Sequence, residues 1–327
     1  MTSGDTSWKQ FAKRTSFPVW VVLGYARKRA KKGIIHDIGF IYKYFRYWKT
    51  YQKYLDLLVT PFCHGAAESD PTMLYKIFRP YELSSYTVKE RFETLRNHYA
   101  LLGQYLSNQQ FDQLGTKEGI HIVDFPVSEA VPRQYRLVMK YDGTHRREGE
   151  LTVEIVRDQE HEDGSASLER IFSIAMNIGA AQEKRVLKIN SIQGCTPHLP
   201  EPLKEIAAAT KAAYGLMPRY MMINIAFKIA RLADATVVLG IRSASHIYAN
   251  SHYSSRVTSE DFRYDYDGQW KEFGAEDFDE NYVKLTQPQR TPLEEIPSKK
   301  RSQHRKRYAF MDEINASLTK IFHRLNQ

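Results

Sequence analysis

The chain has 327 residues, 42% of them hydrophobic and 26% charged, and carries a formal net charge of +9. That is the composition of a folded globular protein with room for one large domain or two smaller ones, which excludes a chain disordered throughout. No stretch reaches the roughly 18 to 20 apolar residues needed to cross a bilayer, since Asn224, Lys228 and Arg231 interrupt even the apolar segment around Met221, so an integral transporter is excluded.

The charge is unevenly placed. Residues 1–54 hold twelve Lys or Arg against Asp5 and Asp37, and residues 299–327 hold eight against Asp312 and Glu313. Both ends are therefore basic and the body between them is net acidic. Phe17 to Ala26 is a short apolar island between Lys13-Arg14 and Arg27-Lys28-Arg29. Its core is short and a basic cluster follows at once, so it reads as an uncleaved segment rather than a secretory signal. Ile34 to Leu58 sets Phe40, Tyr44, Tyr47, Trp48, Tyr51 and Tyr54 among Lys43, Arg46, Lys49 and Lys53, a mixture that suits a helix in a lipid headgroup layer. It equally suits a solvated face on a helix packed against the body. Nucleic acid ranks below both, because no zinc-finger, basic-zipper or RNA-recognition signature accompanies the charge.

Residues 1–115 read as a basic helical region broken near Pro61, Pro71 and Pro80, and Phe92, Leu95, Tyr99 and Leu102 form one buried helical stripe within Thr87 to Leu106. Cys63 and Cys195 stand in no paired spacing and are expected to be reduced, packed thiols. Residues 116–285 read as an antiparallel α+β core domain. Strands are expected at Ile120 to Phe125, Tyr135 to Tyr141, Leu151 to Arg157, Leu168 to Ile178 and Arg185 to Gln193, with Asp142-Gly143 and Asp163-Gly164 as turn signals. A helix follows through Leu203, Ile206, Ala207, Thr210 and Tyr214, which Gly215 can end, and Pro218 opens the next. Thr236 to Ile241 is a short interior strand. Residues 286–327 read as a proline-containing linker and a basic C-terminal helix carrying Tyr308, Phe310, Met311, Ile314, Leu318 and Ile321 at helical spacing.

Several short motifs recur in order along the chain. They are Arg79-Pro80-Tyr81, Leu95-Arg96-Asn97-His98-Tyr99, Ile192-Gln193-Gly194, the run from Thr210 to Arg219, Ser245-His246, Tyr264-Asp265-Tyr266-Asp267 with Trp270, and Glu294 to Arg301 leading to Arg305-Lys306-Arg307-Tyr308. Together they resemble the VirK/YbjX family of Gram-negative bacteria. Met217, Ala275 and Phe78 depart from that pattern. The resemblance implies a protein tied to virulence, envelope integrity and tolerance of cationic antimicrobial peptides, and it implies no particular reaction.

Antiparallel strands, then a loop into a helix, then a short strand is also the order found in GNAT-like acyltransferases. In that reading Lys211, Gly215 and Arg219 would bind the phosphates of an acyl-CoA or acyl carrier at a helix N-terminus. The turn reads as readily as a helix C-cap followed by a new helix. His246 is a candidate general base, with Asp265 or Asp267 orienting its imidazole, and the alternative is a hydrogen-bonded loop histidine. His252 lies nearby. Asp265 and Asp267 are expected to share one face of a strand whose aromatics pack, or else to cap the turn at Gly268. His246, His252, Asp265 and Asp267 match no standard metal spacing, so no metal is expected. No GxSxG elbow or GxxxxGK[ST] loop occurs, which disfavours serine-hydrolase and P-loop chemistry. The basic tail from Lys299 to Arg307 either holds anionic lipid or lipopolysaccharide, or flanks a helix packed on the body.

The expectation is an α+β protein with a helical N-terminal region, cytoplasmic and peripheral at the inner membrane. It would be either a GNAT-like enzyme acylating an envelope component or a non-catalytic accessory protein supporting surface-molecule localisation.

Overall fold

Three helices, α1 (Ile34–Arg46), α2 (Trp48–Leu58) and α3 (Pro61–Ser69), lead into a 3-10 segment, Pro71–Phe78. The computed structural model describes residues 34–249 and 265–323, apart from 128, 130, 132, 133, 142, 161–165, 196–198 and 200. The Phe17 to Ala26 island, Asp163-Gly164, His252 and Tyr264 therefore lie outside the described residues. Phe40, Tyr44, Tyr51 and Tyr54 are buried, and Tyr51 stacks on Phe78 with ring centroids 4.9 Å apart. Four of the six aromatics that suited a headgroup layer are thus core residues.

Local capping sets the next helices. Thr87 accepts from the N–H of Glu90 while the Glu90 carboxylate accepts from the N–H of Thr87, so a capping box starts α4 (Val88–Leu102). Ser107 and Gln110 repeat the device at α5 (Asn108–Leu114). Phe92, Leu95, Tyr99 and Leu102 are buried along α4, as their spacing requires.

Strands β1 (Ile120–Asp124), β2 (Tyr135–Lys140), β3 (Leu151–Glu160), β4 (Ala166–Ala181) and β5 (Lys184–Gln193) form an antiparallel meander. Two helices, α6 (Pro202–Ala212) and α7 (Pro218–Leu232), then carry the chain to β6 (Val237–Ile241), which pairs parallel to β5 from Val186↔Val237 to Ile189↔Gly240. A parallel neighbour requires such a crossover, so the sheet is mostly rather than wholly antiparallel. All five residues of β6 are buried, as the run Val237-Val238-Leu239-Gly240-Ile241 suggests. Helix α8 (Tyr266–Lys271) precedes the short strands β7 (Glu276–Asp277) and β8 (Tyr282–Lys284), which complete the sheet in the order β1-β2-β3-β4-β5-β6-β8-β7.

Helix α6 ends where Tyr214 and Gly215 both take left-handed backbone, at φ 56° and 79°, and the Gly215 N–H reaches Thr210 O at 2.8 Å. This is the C-cap reading of the turn. A Cβ on Gly215 would come within 2.7 Å of Gln303 Nε2, because α9 (Ser298–Ile321) crosses at that point. Phe310, Met311, Ile314, Leu318 and Ile321 bury one side of α9 against the body, while Lys299, Lys300, Arg305 and Lys306 stay exposed. One hydrophobic core runs from Phe40 to Phe322 and draws on the N-terminal helices, the sheet and α9 alike.

The expected strand around Asp265 to Trp270 is a helix. Asp265 accepts from the Gly268 N–H at 2.8 Å and caps α8, while Tyr266 and Trp270, four residues apart, bury the same helical face. Asp265 and Asp267 therefore do not share a strand face.

Candidate functional site

The connection between β2 and β3 contains Thr144-His145-Arg146-Arg147-Glu148, and both His145 and Glu148 are buried. His145 Nδ1 lies 2.8 Å from Glu148 Oε2, and its Nε2 lies 2.9 Å from Ser173 Oγ on β4 and 3.1 Å from Arg170 Nη1. A guanidinium can only donate, so Nε2 is the accepting nitrogen and Nδ1 carries the proton given to Glu148. The Ser173 hydroxyl therefore donates to His145, which donates to Glu148. The three side chains thus form a buried hydrogen-bonded relay with the connectivity hydroxyl, imidazole, carboxylate.

The other oxygen of Glu148 serves a second histidine. His246 Nε2 stands 3.3 Å from Glu148 Oε1, and Gln193 Nε2 donates to the same oxygen at 3.1 Å. His246 follows the 3-10 turn Ser243–Ser245 that ends β6, and its ring stacks on Tyr266 at 4.9 Å. Burial pushes the Glu148 carboxyl upward, but hydrogen bonds from His145 and His246, joined in acid by the charge of these rings once protonated, prevail and hold it down to about 2. The β4–β5 register passes from Ala175↔Ser191 to Met176↔Ile189, leaving Asn190 as a bulged residue. Its amide is re-aimed to donate to the Glu148 carbonyl at 2.8 Å. Gln193 and His246 place the cluster off the carboxyl ends of β5 and β6, the parallel pair, where open sheets with crossover helices bind ligands.

Arginines surround the cluster. A shallow cleft of about 440 Å³ is lined by Gly143, Thr144, Arg146, Arg147 and Tyr248, and a small recess beside it adds Lys76 and Arg79. The Arg147 guanidinium lies 5.8 Å from the Tyr248 ring centroid, and Arg170 Nη1 donates to Thr144 Oγ1 at 2.8 Å. Among the described residues no carboxylate lines either depression. The described lining beside His145 is therefore cationic.

Of the residues singled out from sequence, His246 lies in this cluster, but its carboxylate is Glu148. Asp265 caps α8, and Asp267 accepts from the Ser243 N–H at 3.0 Å and lies 3.8 Å from Arg242. Neither carboxylate orients the imidazole. Lys211 is exposed on the last turn of α6, and Arg219 pairs with Glu272 at 2.7 Å. Gly215 lines a different cleft, beside α9. The structure does not gather Lys211, Gly215 and Arg219 at one pocket. Ser173, His145 and Glu148 were not singled out, although a His and a Glu three apart around two arginines between strands was a readable signal. Among the described residues no group of three His, Cys, Asp or Glu is placed to hold a metal ion, and no helix is long and apolar enough to cross a membrane.

A family model described as "Protein of unknown function (DUF535)" matches residues 29–320. The chain belongs to this family. The DUF535 chain is 27% identical over 253 residues to the Escherichia coli K12 protein described as "Uncharacterized protein YbjX", covering 77% of this chain and 72% of that one. Two uncharacterized Haemophilus influenzae proteins also match this DUF535 chain. One is 28% identical over 230 residues, covering 70% of this chain and 69% of its own, and the other 33% identical over 128 residues, covering 39% and 41%. No solved structure matches.

Proposed function

We propose that the chain is an acyltransferase of the bacterial envelope, working at the cytoplasmic face of the inner membrane, with Ser173 as nucleophile. The reading rests on the alignment of Ser173 Oγ, His145 and Glu148 at 2.9 and 2.8 Å, with Arg146 and Arg147 of the neighbouring cleft following His145 in the chain. His145 would take the Ser173 proton as Oγ attacks the acyl carbon of an anionic donor, such as acyl-CoA or an acyl carrier. It would return that proton to the departing thiolate. A hydroxyl or amine of the envelope acceptor would then give its proton to His145 and take the acyl group as the acyl–Oγ bond breaks, and His145 would pass that proton to the Ser173 oxygen, restoring both groups. Arg146, Arg147 and Arg170 supply the cations that hold the donor. His246 acts through Glu148, fixing the carboxylate that orients His145.

The test is covalent labelling with a fluorophosphonate. Modification at Ser173, lost in Ser173→Ala and His145→Ala while acyl-CoA still raises the melting temperature of both variants, is the expected result. Turnover unchanged in Ser173→Ala would overturn it.

The complete burial of Ser173 favours a second reading, a non-catalytic accessory protein in which the same relay only braces the sheet. Absent labelling and absent turnover, with vesicle binding retained, is the outcome it expects. In both readings the membrane location is supported by exposed Ile38, Tyr42, Phe45 and Trp48 at the basic end of the chain.

A further inference from the structure

A second cleft lies apart from the arginine-lined one beside His145. A cleft of about 620 Å³ opens between α7, the linker segment 287–291 and α9, and shares no lining residue with the relay. That volume is within the ordinary range for sites that take a small organic ligand. Its apolar lining comes from Leu216, Met217, Tyr220, Pro288 and Met311, and Met217 leaves 49% of its surface exposed at the opening. Its charged lining is Arg231, Arg290 and Arg307, His304 being held toward its neutral form by desolvation and by Arg307 and Lys300, and no Asp or Glu is among the described lining residues.

The cations differ in their commitments. Arg290 forms a fork with the Asp312 carboxylate and is already neutralised. Arg307 donates to the carbonyls of Tyr214 and Gly215, at 3.3 and 3.0 Å through Nη2, so its geometry is fixed while its charge is not cancelled. Arg231, in the last turn of α7, has no carboxylate partner among the described residues, and its charge already lowers the proton affinity of Lys228, after the effect of burial. The side-chain amides of Asn224, Gln287, Gln289 and Asn315 add uncharged donors to the same walls. The walls are themselves tied down, since Tyr308 donates to Thr291 O at 2.8 Å and Arg301 to Ile296 O at 2.8 Å.

A pocket with an apolar floor, uncancelled guanidinium charge and no acidic lining selects for a ligand that carries both an apolar body and an anionic head. We propose that this cleft binds an anionic amphiphile, with its carboxylate or phosphate head toward Arg231 and Arg307 and its chain against Leu216, Met217 and Met311. The proposal is independent of the acyl-transfer reading, because the cleft and the relay have no residue in common.

The probes are laurate, n-dodecyl phosphate, dodecanol and inorganic phosphate, titrated calorimetrically into the full chain below the micellar threshold of each amphiphile. Laurate, dodecyl phosphate or both should bind, with dodecanol and inorganic phosphate weaker by about tenfold or more, because each supplies only half of the recognition. A preference between the two anions assigns the head group as carboxylate or phosphate. Arg231→Glu and Met217→Asp, both at exposed positions, should each weaken binding about tenfold without lowering the melting temperature of the unliganded chain. Failure of both anions to bind, dodecanol binding as well as they do, or wild-type affinity in both variants would overturn the proposal. Loss of Ser173 labelling in these variants is not expected, so failure here and failure of the relay are separately visible.

Discussion

Glu148 stands between two imidazoles, accepting from His145 Nδ1 at 2.8 Å and facing His246 Nε2 at 3.3 Å across its other oxygen. Its folded-state pKa of about 2 lies below the ordinary 4.5. The carboxylate therefore stabilises the fold fully above the unfolded value, and that contribution is lost as pH falls from there toward about 2. The difference corresponds to on the order of 3 kcal/mol. Glu148→Gln should lower stability by roughly that amount near neutral pH and show a shallower loss over the acid window. Urea unfolding at about pH 7, 4 and 3 measures it, and a variant curve parallel to that of the wild type would count against the assignment.

A second buried pair lies across the sheet. Lys188 Nζ donates to Glu82 Oε1 at 2.6 Å, Tyr282 donates to the same oxygen at 3.1 Å, and Asn177 Nδ2 donates to Oε2 at 2.6 Å. Burial alone would discharge the lysine, but Glu82 and Tyr86 more than offset it and hold the ammonium charged. Lys188→Met leaves Glu82 buried without its counter-charge, at a cost of about 3–5 kcal/mol. Adding Glu82→Gln removes the stranded charge and should restore part of that loss. Chemical denaturation of both variants tests the pairing, and a neutral single variant would sink it.

The legible parts of the fold were those fixed by near neighbours. The Phe92, Leu95, Tyr99 and Leu102 stripe of α4, Pro218 opening α7 and the five meander strands follow from spacing and chain stereochemistry within a few residues. The α8 segment misled because Tyr264-Asp265-Tyr266-Asp267 alternates like a strand, while the Asp265 cap and the four-residue step from Tyr266 to Trp270 make a helix. Of the cluster, His246 was legible, and the spacing of His145 and Glu148 was a local signal with nothing nearby in sequence to complete it. Ser173, His145 and Glu148 meet only once β4 packs beside the β2–β3 connection, and a serine inside a strand carries none of the local marks of a nucleophile elbow. The parallel β5–β6 pairing that locates the site depends on the same long-range assembly.

Gly240 has no alternative residue at its place in β6. A Cβ there would sit 2.7 Å from Trp270 Cε2, and the indole cannot retreat because its Nε1 donates to Ile241 O at 2.6 Å. Gly240→Ala should cost about 1–3 kcal/mol through overpacking. The melting temperature should fall by several degrees, and the near-ultraviolet circular dichroism of the buried Trp270 should change with it. An unperturbed melting curve would show that the strand yields more easily than this packing allows.

Helix α1 has two apolar faces, and among the described residues one is buried in the core and the other is exposed. Phe40 and Tyr44 are buried, whereas Ile38, Tyr42 and Phe45, at spacings of four and three, are 65%, 66% and 60% exposed. Trp48 extends this exposed stripe into α2, and the exposed Arg46, Lys49 and Lys53 add positive charge beside it. Aromatic and aliphatic groups on such a stripe would enter the acyl boundary, and the cations would meet anionic headgroups. The full chain is therefore expected to sediment with vesicles rich in phosphatidylglycerol, less with pure phosphatidylcholine, and less again as salt rises. Ile38→Glu with Phe45→Glu should reduce binding by about tenfold or more while leaving the melting temperature unchanged, because both side chains face outward. Equal binding by that variant would move the contact elsewhere on the surface. A wild-type chain that stays in solution at low ionic strength would remove the membrane from the account and leave the buried relay to act on a soluble substrate.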